Sequence, residues 1–74
     1  MTYVEGLWNE IKGNWKQFTG SVQERWGELT ADEIDQINGE RKQLVGRIQE
    51  RYGIAQQEAE MQVDEWADTL EMRR

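Results

Sequence analysis

Trp8, Ile11, Trp15, Phe18 and Val22 recur at a spacing of three and four, one apolar stripe along an α-helix. The stripe then shifts by four to Trp26, with Leu29 beyond it. No stretch sustains the strict alternation of a half-buried strand. The pattern predicts a first helix that starts somewhere in residues 3–13 and runs to Trp26. Trp8 joins the core only if that helix reaches it. Gly27 follows as a C′ terminator able to take the left-handed conformation. The run TADE at 30–33 fits a capping box opening a short helix, with Ile34 and Ile37 turned inward and Asn38-Gly39 as its stop. A further helix over about 40–52 buries Leu44, Val45, Ile48 and Tyr52, and Gly53 ends it. The last, about 55–70, carries Ala59, Val63, Trp66 and Leu70 at 4-3-4 spacing. Arg73 and Arg74 suit its C-terminus through the helix dipole.

Two stretches of the chain nearly coincide, KQFTGSVQERWG at 16–27 and KQLVGRIQERYG at 42–53. All seven glycines fall in two combs of period seven, at 6, 13, 20 and 27 and at 39, 46 and 53. The apolar positions of the copies are similar: Phe18 with Leu44, Val22 with Ile48, Trp26 with Tyr52. The identical ones are polar or glycine. A core demands volume and hydrophobicity, not an identical outer face. One reading is a duplication whose surface has not drifted. The other is a face that meets a partner or the other copy, formed by Lys16, Gln17, Gly20 and Gln23 and by Lys42, Gln43, Gly46 and Gln49. The glycines favour the second, because a mid-helix glycine costs about 1 kcal/mol relative to alanine. Arg25 and Arg51 interrupt the stripe, and both read as structural, with stems over the core edge and heads in water.

Composition narrows the chemistry. The 74 residues hold no cysteine, histidine or proline, so there is no disulfide, no thiolate or imidazole metal ligand and no neutral-pH base of the commonest type. The net charge of −6 argues against a dedicated nucleic-acid binder; a stacking platform at Trp8 and Trp15 beside Lys12 and Lys16 is only a third option. Residues 12–27 and 41–53 are net basic and 28–40 and 54–74 net acidic, so each copy has an acidic partner. The N-terminus lacks the marks of a signal peptide, and no apolar run approaches the roughly 20 residues of a membrane span. Low hydrophobicity resembles disordered protectants, but four tryptophans, two tyrosines and a phenylalanine favour a folded state. Ser21 has no companion base, and the glycines form neither a phosphate loop nor a dinucleotide fingerprint. No catalytic, cofactor-binding or metal-ligating residue is identified, and an enzyme is not expected.

The runs GNWKQFTGSVQERWGELT and INGERKQLVGRIQERYGIAQQEAEMQVDEW resemble the CsbD-like family of small bacterial stress-response proteins, over about residues 4–66. That resemblance implies an all-α fold and a cytoplasmic protein of general stress or stationary phase, with no family binding residues to carry over. Thr19, Ser21 and Gln23 stand where the family's first repeat is richer in lysine. The expectation is one domain over 1–74, frayed at 1–5 and 71–74. It is a small bundle of about four helices, two helical hairpins packed roughly orthogonally, with an internal repeat at about 13–27 and 39–53. It is expected to be monomeric and non-enzymatic, and to bind an unidentified protein partner without cofactors. The alternative is a loosely folded hydrophilic protectant with no specific partner.

Overall fold

A computed structural model describes the backbone of residues 2–72 and the side chains of 6–70. The chain forms five helices: α1 (Thr2–Gly13), α2 (Trp15–Arg25), α3 (Ala31–Ile37), α4 (Arg41–Tyr52) and α5 (Gln56–Met72). Among the described residues there is no strand. The count is five rather than about four because the first predicted helix is two. Its stripe runs on unbroken, but Asn14 leaves helical geometry at φ −123°, ψ 32°. Gly13 and Asn14 are both weak helix formers, and the Asn14 amide donates back to the Glu10 carbonyl at 3.1 Å, a local bond that competes with the helix. The fraying expected at 1–5 and 71–74, and the placing of Arg73 and Arg74 on the dipole, involve residues 1, 73 and 74, which lie outside the described residues.

The end of α2 also departs from the reading. Gly27 does not take a positive φ. Trp26 closes the helix instead, at φ −125°, ψ 80°, its N–H bonding the Val22 carbonyl at 2.8 Å. Its own carbonyl accepts from Leu29 N–H at 3.1 Å. Turning the backbone at Trp26 lets the indole drop into the core, so the freedom of the following glycine goes unused. The other stops hold. Thr30 and Glu33 form the capping box, Asn38 and Gly39 carry positive φ, and Gly53 at φ 64° ends α4.

The core joins all five helices. Trp8, Ile11, Trp15, Val22, Trp26, Leu29, Ile34, Ile37, Leu44, Val45, Ile48, Ala59, Val63, Trp66 and Ala67 are buried, with Leu7, Phe18, Ile54 and Leu70 packed at its edge. Trp66 lies at its centre. The rings of Trp8, Trp15, Phe18 and Trp26 stand 5.8–6.5 Å from it, three of them edge-on, the geometry aromatic quadrupoles favour. Three indole N–H groups find acceptors across helices: Trp15 to the Ile34 carbonyl (2.8 Å), Trp26 to Gln62 Oε1 (3.0 Å) and Trp66 to Ser21 Oγ (2.9 Å). Tyr52 was expected in this core and is 40% exposed. It sits on the last turn of α4, where its hydroxyl reaches the loop after α2 and accepts from Glu28 N–H at 3.2 Å.

The expected pairing of basic copies with acidic partners is present. Arg41 binds Asp64 of α5 through two donors, and Lys12 bonds Glu40 at 2.9 Å. Glu33 is the one buried carboxylate among the described residues. It receives the Thr30 backbone N–H and Arg51 through Nε and a terminal nitrogen (3.0 and 2.8 Å), with Arg47 at 3.5 Å. One side chain therefore caps α3 and ties it to α4. The Arg51 bonds first, and then the Thr30 backbone bond, hold its carboxyl below the ordinary glutamate pKa of 4.5, against the opposing effect of burial. A depressed folded-state pKa contributes stability that is complete above the ordinary value and disappears as pH falls through the lowered one. Chain stability should accordingly decline in acid, and Glu33→Gln should flatten part of that decline while lowering the neutral-pH plateau. Urea midpoints measured across the acid range for both chains check this. Parallel acid limbs would refute it.

Candidate functional site

The face predicted from the repeat is formed by α2 and α4, the two helices whose outer residues match. Both contain a glycine near the middle, where it weakens the helix. Lys16, Gln17, Gly20 and Gln23 are all exposed on α2; on α4, Lys42, Gln43 and Gly46 are exposed and Gln49 is half-buried. A Cβ built on Gly20 or on Gly46 meets nothing within 4 Å. Neither glycine therefore serves a close approach within the chain. The two faces do not bury against each other.

Their surroundings differ. Beside Gly46 an open groove of about 380 Å³ runs between α4 and the start of α5, walled by Lys42, Val45, Gly46 and Gln49 on one side and Gln56 and Glu60 on the other. A second depression on the far flank of the same glycine is bounded by Gln43, Arg47 and Glu50. On α2, Lys16 and Gln17 instead line a depression with Lys12, Asn14, Asp35 and Asn38, which does not include Gly20. A further groove, also without Gly20, is made by Ser21, Glu24 and Arg25 against Glu65, Trp66 and Thr69 of α5. The eight residues thus fall into two separate patches rather than one site.

Gln23 also carries a structural duty that its match with Gln49 does not reveal. Its amide donates to the Leu29 carbonyl at 2.6 Å, holding the loop between α2 and α3. The two arginines that interrupt the stripe diverge in the same way. Arg51 binds Glu33, whereas the Arg25 guanidinium lies 5.1 Å above the Trp26 ring. Each copy's last turn is therefore committed to its own neighbours, and the equivalent surfaces are the Lys-Gln-Gly portions. Arg47, next to Gly46, was not singled out from the sequence; its place beside the groove is visible only once α3 supplies Glu33 and Gln36 to hold it.

Among the described residues no cluster of three acidic groups stands close enough to hold a metal ion. No helix is long and apolar enough to cross a membrane.

Comparison with known proteins places the sequence in a family. The CsbD-like family matches residues 4–61. A UPF0337 protein of Rhodopseudomonas palustris is 53% identical over 63 residues, covering 85% of this chain and 96% of its own length. One from Rhizobium meliloti is 61% identical over 59 residues, covering 80% and 86% of the two chains. The UPF0337 protein YjbJ of Escherichia coli is 57% identical over 58 residues, covering 78% and 84%. With the family pattern across most of its length and relatives of this similarity, the chain belongs to the CsbD-like family.

Proposed function

We propose that this chain is a non-enzymatic, cytoplasmic stress-response protein that acts by binding a protein partner through the glycine-bearing polar faces of α2 and α4. The family supplies the stress context. The binding reading rests on one observation, the open space around Gly20 and Gly46 in mid-helix. Each glycine weakens its helix by about 1 kcal/mol relative to alanine, and no contact within the chain accounts for it. A partner backbone laid across the helix would, because only a glycine lets two backbones come that close. Lys16 and Lys42, each one turn before its glycine, favour an acidic or carbonyl-rich partner surface. A core centred on Trp66 supports this over the loosely folded protectant, which needs no defined face.

The test is the double substitution Gly20→Ala and Gly46→Ala. With no neighbour to clash, each should stabilise the chain by about 1 kcal/mol, raising Tm by about 4–8 °C for a domain of this size. Survival of cells under the inducing stress should fall despite the gain. A more stable chain that protects cells as well as the original would overturn the reading.

A further inference from the structure

We infer that at high concentration the chain exchanges α1 with a second copy of itself, with Asn14 as the hinge, and that a straighter hinge drives the exchange further. The inference starts from a conflict between local and tertiary preference at 13–16. Asn14 N–H still bonds the Glu10 and Ile11 carbonyls, both at 3.2 Å, and Gln17 N–H already bonds the Asn14 carbonyl at 2.9 Å. Across the bend the i to i−4 ladder lapses: the Trp15 and Lys16 amides do not reach back to Ile11 and Lys12, and Gln17 bonds Asn14 rather than Gly13. Asn14 does not cap them, since its side chain turns back to Glu10. A straight helix would supply those amides with the Ile11 and Lys12 carbonyls. The apolar stripe also stays in register across the bend, from Trp8 and Ile11 to Trp15 and Val22. Periodicity and the lapsed amides favour the straight form, and only the weak helix propensity of Gly13 and Asn14 opposes it locally.

Tertiary contacts favour the bend. Folded back, α1 buries Trp8 and Ile11, sets the Trp8 ring tilted against Trp66 at 6.1 Å and pairs Lys12 with Glu40. Its last turn lies against Gly39 so tightly that a Cβ there would stand 2.6 Å from the Lys12 Cα. One chain cannot satisfy both preferences. A straight helix over 2–25 would run about 36 Å at 1.5 Å per residue, beyond the 29 Å longest extent of the molecule. Its α1 would project clear of its own body and leave the seat beside Trp66 and Gly39 empty. The α1 of a second copy fits that seat because it is the same peptide. Two copies exchanging α1 about a two-fold axis keep every α1 contact and regain the ladder at both hinges, and a hinge this short is the circumstance in which such exchange is favoured.

Straightening the hinge with Gly13→Ala and Asn14→Ala should therefore shift the chain to a dimer. The bent monomer also tolerates the alanine at 13, since a Cβ there meets nothing within 4 Å. Light scattering on a sizing column should read twice the 8.8 kDa of the single chain. Adding a short Gly-Ser insertion between residues 13 and 14 of that variant should return it to a monomer, because a slack hinge lets α1 reach its own seat. A folded variant that stays monomeric at millimolar concentration would overturn the inference. So would a dimer that survives the insertion, which must use another surface. Should the variant not fold, the unaltered chain refolded from urea at millimolar concentration decides. A dimer that persists on dilution is expected, and its absence would overturn the exchange.

Discussion

Gly39→Ala should cost the chain about 2–5 kcal/mol. Gly39 sits at φ 79°, in the left-handed region, where an L-residue loses about 1–2 kcal/mol. The added methyl would also meet the Lys12 Cα at 2.6 Å and its Cβ at 3.1 Å, a collision with backbone that no rotamer relieves. Overpacking of that kind adds about 1–3 kcal/mol. Gly53 separates the two costs. It has φ 64° and nothing within 4 Å of its Cβ, so Gly53→Ala should show the conformational cost alone. Thermal melts of the two variants should differ, with Gly39→Ala lower by about 4–8 °C for each kcal/mol of clash. Because the blocked contact holds the end of α1, Gly39→Ala should also disturb the Trp8–Trp66 pair, read as a loss of near-ultraviolet circular dichroism at temperatures where helix content persists. Equal melting temperatures would mean that α1 does not rest on the turn between α3 and α4.

That contact illustrates what the sequence could and could not reveal. Local features were legible. The capping box at Thr30 and Glu33, the stop at Asn38-Gly39 and the inward faces of α3, α4 and α5 all follow from residues within one turn of each other. The features that escaped depend on distant residues. Gly13 and Asn14 weaken the helix locally, but that α1 folds back on the body is set by Trp66, Gly39 and Glu40, far along the chain. Tyr52 matches Trp26 in the repeat, yet Trp26 finds Gln62 and the Trp66 ring while Tyr52 meets the Glu28 amide at the surface. The candidate face was legible as a polar pattern on two helices. Its division into two patches and the tie from Gln23 to Leu29 were not, because both are set by loops and by α5.

Trp66→Ala should remove most of the stability of the fold, and its effect on cells decides between the two functional readings. Trp66 is 5% exposed, donates to Ser21 Oγ and is surrounded by four aromatic rings from α1 and α2 and the turn that follows. Truncating a buried Trp to Ala costs about 3–5 kcal/mol. A chain of this length has about 4–11 kcal/mol in all. The small helices next to α5 are too short to stand alone, so the cavity should loosen α1 and α2 together, and the urea transition should lose its cooperativity. Trp66→Phe, which keeps a ring and gives up only the N–H and some volume, should retain a cooperative transition at lower urea. If the chain works through faces held on α2 and α4, cells carrying Trp66→Ala at normal abundance should lose stress protection and those carrying Trp66→Phe should keep it. A protectant acting through hydration and mass needs neither face nor core, and both variants would then protect alike. Equal protection by an unfolded Trp66→Ala chain would end the binding proposal, because the glycines of α2 and α4 can admit a partner only while those helices exist.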